Sequence, residues 1–329
     1  MRILLFGDGL WATNSLQRLA QEGYALLGVV IRTQPTDPEL LASAKTLHLP
    51  ILQPQKVNDP EFVTEVKALE PDLNLSVSYD QILRQPILGT APLGFVNFHA
   101  GKLPYYRGRN VINWAIINNE TEIGLTSHYV DEGIDTGDII LQRTFPIYWA
   151  DSYGDVLNRV VAAFPDLVSE TVQLINCGQT QSHPQAHLSG TYFAGREKGD
   201  EWLDWADNSL NLYNKIRSIS HPGPGARTFL GEHAVVVWKA SYKPDWPVYK
   251  ATPGQVVGRR PDEGVIVKTG DSTLLLQRVQ VGASEIQTPG WRIGARLGTN
   301  LCTYLQTLEA RVKHIEQVLA EVTAAGRKK

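Results

Sequence analysis

Over the first half of the chain, short apolar runs ending in turn or polar residues alternate with stretches of helical spacing. Arg2 to Phe6, Leu26 to Ile31 and Leu73 to Ser78 are the apolar runs. Their length and lack of polar interruption suit strands covered on both faces, which implies parallel pairing. Leu10 to Gln21, Pro38 to Leu47 and Pro60 to Leu69 carry the helical spacing, and Asp37 and Asp59 stand where a cap precedes a first-turn proline. This alternation predicts an open, mostly parallel, Rossmann-like α/β sheet. A strand is expected at Gly94 to His99, a helix at Val111 to Asn118, strands at Gly124 to Val130 and Ile139 to Phe145, and a closing helix from about Tyr153 to Asn176.

From Gly178 to Gly190 periodicity lapses, as in a connection between domains. Beyond it, a helix at Ser209 to Ile219 and an HPGPG turn at His221 to Gly225 precede strand-like runs at Ala234 to Lys239, Gly254 to Val257, Gly264 to Lys268 and Thr273 to Val281. A small β-barrel is the economical reading. The expected organisation is a catalytic domain over 1–180, a linker over 181–200, a barrel over 201–296 and a terminal helix over 297–329. In that helix Leu301, Leu305, Leu308, Val312, Ile315, Leu319 and Val322 repeat in steps of four and three. Such a seam serves either a coiled-coil homodimer or packing on the chain's own domain.

Composition narrows the classes. With 329 residues and 43% hydrophobic content, two packed domains are expected. The net charge of −3 offers no broad positive field for nucleic acid or an anionic membrane. Cys177 and Cys302 lack CxxC spacing, which argues for a reducing, cytoplasmic setting without disulfides or cysteine-bound zinc. The opening MRILLFGDG is too short an apolar run for a signal peptide or a membrane span.

Candidate chemistry concentrates in FVNFHAGKLPYYRGRNVINWAI, Phe95 to Ile116, and HYVDEGIDTGDI, His128 to Ile139. Residues two apart on a strand share a face, so Asn97 and His99 point together while Phe98 turns away. Glycines around Asp135 let a loop offer its carboxylate to the same place. Acyl transfer to an amine needs a donor for the developing oxyanion, a group that handles the amine proton, and a group that orients or balances it. Asn97, His99 and Asp135 match those needs by type, although spacing alone leaves open that they are ordinary polar residues. No activated serine or cysteine is evident, so the amine itself would be the nucleophile.

These two stretches resemble the signature of the 10-formyltetrahydrofolate-dependent formyltransferases, in which an Asn, a His two residues later, an LP turn, an RG pair and a DTG loop occur together. Asp204 to Ala240 is similar to the start of that family's C-terminal barrel. The resemblance implies that Asn97 stabilises the oxyanion, His99 shuttles the proton and Asp135 raises the basicity of His99. It implies N10-formyltetrahydrofolate as co-substrate, no metal, and folate contacts at Gln81, Ile82 and Leu83 and at Gly101, Lys102, Leu103 and Pro104, with Asp131 a further candidate. Gly101 and Lys102 stand where the family's usual loop has Ser-Leu.

For the acceptor, Tyr106 to Trp114, with Arg109 and the Asn113-Trp114 pair, resembles the sugar N-formyltransferases such as UDP-4-amino-4-deoxy-L-arabinose formyltransferase. RTQPTDPEL, at 32–40, lacks the basic, glycine-rich character of the loop by which tRNA enzymes grip an acceptor stem. The expectation is therefore a nucleotide-linked amino sugar, with Arg109, Gly9 and Trp11 lining its site and nucleic acid not a partner. The alternatives are a methionyl-tRNA formyltransferase or a noncatalytic folate- or nucleotide-binding module. His128 is expected to be structural, Arg196 and Lys198 to lie in a solvated linker, and His183, His187 and His221 to lack metal-ligand spacing.

Overall fold

The computed structural model describes residues 1–185, 190–298 and 301–326. The chain divides into two compact units, residues 1–200 with 221–223 and residues 201–220 with 224–329.

The first unit grows from β1 (Arg2–Gly7), in which Ile3 to Phe6 are fully buried. It continues through α1 (Gly9–Gln21), β2 (Ala25–Val30), α2 (Pro38–Thr46), β3 (Ile51–Leu52), α3 (Pro60–Ala68) and β4 (Leu73–Val77). Next come β5 (Phe95–His99), the two-residue β6 (Arg107–Gly108), α4 (Val111–Ile117), β7 (Glu122–Tyr129), β8 (Ile139–Pro146), α5 (Tyr153–Asn176) and β9 (Tyr192–Phe193). The main sheet has seven strands in the order β3-β2-β1-β4-β5-β7-β8. Pairing is parallel from β3 to β5 and antiparallel from β5 to β8.

Alternation along β1 explains why both faces must be covered. Ile3 and Leu5 pack with Leu16 and Leu19 of α1 and Phe164 and Val168 of α5, whereas Leu4 and Phe6 pack with Phe62, Val63 and Val66 of α3. Each such aliphatic or aromatic side chain contributes about 1.5–3 kcal/mol by leaving water. The ends of α2 and α5 follow from their caps. Asp37 accepts from the N–H groups of Glu39 and Leu40, and Ser152 and Asp155 form a reciprocal capping box. Asp59 makes no such side-chain bond; its backbone carbonyl alone starts α3.

The stretch expected as a linker over 181–200 is tied to this unit. His183 exchanges two backbone hydrogen bonds with Ile139, and Tyr192 and Phe193 of β9 pair with Arg107 and Gly108 of β6. Those partners lie far away in sequence, so local composition reads as a loop.

The second unit holds α6 (Ser209–Ser218), capped by Asn208, and β10 (Ala226–Leu230), β11 (His233–Ser241), β12 (Val256–Arg260), β13 (Gly264–Lys268) and β14 (Thr273–Val281). The strands form an antiparallel sheet in the order β10-β11-β14-β13-β12. Its two edges are joined by residues 294–298. Val256 donates to Ala295 O, Leu297 to Gly254 O, and Gly298 to Phe229 O of β10. Strand β10 escapes the sequence reading because it follows directly on the Pro-Gly turn. The final helix, α7 (Leu301–Gly326), exposes Leu305, Leu308, Val312 and Ile315. Among the described residues, no helix is long and apolar enough to cross a membrane.

Asp37 does double duty, since its other oxygen accepts from Gly9 N–H at 2.6 Å. Asp37→Ala is expected to lower the unfolding free energy by about 1–2 kcal/mol, measured by urea denaturation.

Candidate active site

The register of β5 against β7 sets Asn97 opposite His128 and His99 opposite Thr126. Asn97 and His99 share one face of β5, while Phe98 turns to the other, where its ring lies 6.1 Å from that of Phe164. A cleft of about 840 Å³ opens beside them, lined by Asp8 after β1, residues 78–83 after β4, Asn97 to Ala100, Gly108 to Asn113, His128, Asp131 and Asp135. This is the carboxyl-end position at which open α/β sheets hold ligands.

Four side chains converge. Asn97 Nδ2 is 3.2 Å from His128 Nε2 and donates to Asp135 Oδ1 at 3.4 Å. His99 Nδ1 lies 3.6 Å from Asp135 Oδ2, and His128 Nε2 3.5 Å from Asp135 Oδ1. The opposite nitrogens of both rings face backbone carbonyls: His99 Nε2 donates to Tyr106 O at 2.6 Å, and His128 Nδ1 donates to Tyr129 O at 2.8 Å. Each ring is thus held in one orientation. Asn97 stands with Nδ2 toward both His128 Nε2 and Asp135 Oδ1, so its NH₂ faces the cluster.

Asp135 sits in the left-handed region at φ 53°, and its Oδ2 accepts from Gly108 N–H at 2.8 Å. Burial alone would push its carboxyl up. The facing imidazoles of His99 and His128 and the Gly108 N–H outweigh that effect and hold it well below the usual carboxylate range.

The other expected site residues divide into two groups. Gln81, Ile82, Leu83, Asp131, Trp11 and Arg109 line the cleft. Gln81 uses its amide oxygen on Val57 N–H, and Asp131 accepts from Gly133 N–H and Thr136 Oγ1, so both also brace their own loops. Trp11 packs edge-on against Phe164, and Arg109 reaches Asp80 O. Gly101, Lys102, Leu103 and Pro104 are not on the lining of this cleft. Lys102 is drawn away by an ion pair with Glu122, and Leu103 is buried. At Gly101 a Cβ would meet Tyr106 O at 2.4 Å and His99 Nε2 at 2.5 Å, so glycine there permits the close packing of loop on imidazole. Gly9 is likewise off the lining, held at φ 71° with its N–H on Asp37.

The expectation of a purely structural His128 missed its place in the cluster; the signal lay in pairing the two motif strands rather than in either alone. Arg107 and Gln185, both nearly fully buried behind the site, also went unread. Arg196 binds Asn110 Oδ1 through its backbone N–H. His187 lies outside the described residues. Among the described residues, no group of three or more His, Cys, Asp or Glu side chains could hold a metal ion.

The sequence matches the family model described as Formyl transferase over residues 1–172, and that described as Formyl transferase, C-terminal domain, over 196–291. It is 35% identical over 291 residues to a methionyl-tRNA formyltransferase of Syntrophus aciditrophicus, covering 85% of this chain and 91% of the relative. It is 37% identical over 290 residues to that of Symbiobacterium thermophilum, covering 85% and 88%. Among solved structures it is similar to an N-formyltransferase from Helicobacter canadensis in complex with folinic acid and dTDP-3-aminofucose, with a TM-score of 0.65, 20% identity, and coverage of 84% of this chain and 98% of that one. A methionyl-tRNA formyltransferase from Clostridium thermocellum has a TM-score of 0.55 at 18% identity, covering 74% and 95%.

These relatives overturn the expected amino-sugar acceptor. Similarity at 31–37% identity over most of the chain is to methionyl-tRNA formyltransferases, whereas the sugar enzymes share the fold at 20–22% identity. The run that suggested a sugar has internal uses: Asn113 is buried, and Trp114 donates to Ala194 O and stacks on Phe193.

The Asp135 carboxyl predicts a pH dependence of stability. Its pKa in the folded chain is depressed below the ordinary value of about 3.9, so its contribution is present above that pH and lost as pH falls. Urea denaturation should show the wild type losing stability between about pH 5 and pH 3 more steeply than Asp135→Asn.

Proposed function

From the premise that this chain belongs to the formyl transferase family, we propose that it transfers the formyl group of N10-formyltetrahydrofolate to the α-amino group of methionyl-tRNA. The observation that carries the chemistry is the convergence of Asn97, His99 and Asp135 on one cleft wall. The acceptor rests on the long, high-coverage similarity to methionyl-tRNA formyltransferases.

The uncharged amine attacks the formyl carbon, and a C–N bond forms as the carbonyl oxygen becomes an oxyanion. Asn97 Nδ2 supplies the hydrogen bond: its contact with Asp135 is long at 3.4 Å, so that N–H is the one a developing oxyanion can take. His99 accepts the proton from the attacking nitrogen and returns it to N10 of the folate as the old C–N bond breaks. Asp135, ionised and facing the ring, balances the imidazolium in between. The products are the formylated amine and tetrahydrofolate, with no covalent enzyme intermediate.

Donor binding is assigned to the wall formed by Gln81, Ile82 and Leu83. Asn58 pins that wall from behind, donating to Ile82 O and accepting from Arg84 N–H. A volume near 840 Å³ suits a ligand of folate size. The chain's small net negative charge is no obstacle to tRNA. Residues 224–298 carry ten basic against six acidic side chains, a local excess of four positive charges.

Purified protein with N10-formyltetrahydrofolate and methionyl-tRNA should yield formylmethionyl-tRNA, read by mass. A folded preparation that leaves methionyl-tRNA unmodified refutes the acceptor. His99→Ala is expected to cut turnover by about 10²–10⁴-fold while folate binding, followed by calorimetry, persists.

We further propose that α7 joins two copies of the chain. Leu305, Leu308, Val312 and Ile315 expose one heptad seam, and in a parallel pair Arg311 of one copy would face Glu316 of the other. Light scattering should then report a dimer for the whole chain and a monomer for a chain ending at Asn300; equal protomer numbers refute it.

A further inference from the structure

Behind the cleft, two buried polar side chains join the loops that carry the site. Arg107 is 1% exposed and Gln185 3%. The Arg107 guanidinium donates to Gln185 Oε1 through Nε at 3.2 Å and through a terminal nitrogen at 2.6 Å, and its other terminal nitrogen donates to Tyr192 Oη at 3.0 Å. The Gln185 amide nitrogen then donates to Asp135 O at 2.9 Å and Gly137 O at 2.7 Å. One unbroken chain of hydrogen bonds therefore runs from the strand carrying Arg107 to the backbone of the residue that faces both imidazoles.

That backbone needs holding. A non-glycine residue in the left-handed region costs on the order of 1–2 kcal/mol, and Asp135 adopts it at φ 53°. Its carboxylate is held by Gly108 N–H, the residue next to Arg107, and its carbonyl by Gln185. The two restraints meet again at β6, whose Gly108 packs so closely on β9 that a Cβ would lie 2.2 Å from Phe193 O. A glutamine suits the middle position because it accepts on one side and donates on the other; neither a carboxylate nor an apolar side chain can do both.

We infer that Arg107 and Gln185 are positioning residues for formyl transfer, setting the distance of the Asp135 carboxylate from His99 and His128 without touching either substrate. The inference rests on the proposed reaction for its kinetic consequence but not for its spectroscopic one. Charged and titratable groups facing the carboxylate are His99 and His128, with the Gly108 N–H on the third side.

The test compares the wild type with Gln185→Glu, which keeps the acceptor for Arg107 but sets an oxygen against two carbonyls, and Gln185→Met, an apolar side chain of similar length. Circular dichroism establishes that each variant is folded. NMR titration of the site imidazoles should show the His99 midpoint moving by about 0.5 pH unit or more in both variants, as the carboxylate shifts by roughly an ångström. In turnover with N10-formyltetrahydrofolate and methionyl-tRNA, kcat should fall about ten- to a hundredfold, with each KM changed less than about threefold. Folded variants with wild-type imidazole titrations, or a loss confined to KM, overturn the inference. Should the wild type itself transfer no formyl group, the proposed reaction fails, and the titrations alone still decide whether Gln185 sets the carboxylate. If neither substitution yields a folded chain, Arg107→Lys, which keeps the charge and loses the fork, is put through the same measurements.

Discussion

An ionised carboxylate placed away from bulk water costs several kcal/mol unless charge and hydrogen bonds surround it. The way Asp135 meets that cost fixes much of the first unit. Two imidazoles, one amide and one backbone N–H face it, drawn from three segments: Asn97 and His99 from β5, His128 from β7 and Gly108 from β6. None can shift without leaving a buried charge short of a partner. The site is therefore specified by mutual need among these segments rather than by the rigidity of any one. The same electrostatics that keep Asp135 ionised hold a counter-charge ready for an imidazolium.

The change from parallel to antiparallel pairing at β5 makes this arrangement possible. Up to β5 each strand is fed by a crossover, and the segments leaving β1 and β4 supply cleft walls. After β5 the chain reverses, so β7 lies beside β5 with His128 opposite Asn97, and the loop between β7 and β8 folds back to bring Asp135 into range. Asn97 and His128 thus become a pair because the chain, after passing through β6 and α4, returns antiparallel beside β5.

Local pattern carried the architecture well. Helix α5 and strands β13 and β14 fall where period and caps put them, because each draws on neighbours a few residues away. What local pattern could not carry were contacts made across long separations. Strands β6 and β9 have two residues each and exist only through one another, 85 residues apart from Arg107 to Tyr192. Gln185 sits in a stretch whose composition reads as a loop, although its amide is among the most constrained groups near the cleft. The loop of Gly101 to Pro104 carries contacts of its own that composition does not show. It has the composition of a ligand loop, but Lys102 is committed to Glu122 and Gly101 to the face of His99.

The expected acceptor failed for a physical reason that applies to charge arguments in general. A net charge of −3 is an average over 329 residues, whereas phosphate contacts are local and are screened within about 10 Å. A chain can be slightly acidic and still carry a basic barrel, as residues 224–298 do. The residues that pointed to a sugar were equally ambiguous, because each has a partner within the fold. Arg109 leans toward Asp80 O, and Trp114 is stacked on Phe193 rather than offered to a ring in the cleft. The proposed chemistry asks only for an amide, an imidazole and a carboxylate around an uncharged amine, so it does not by itself choose what that amine is attached to.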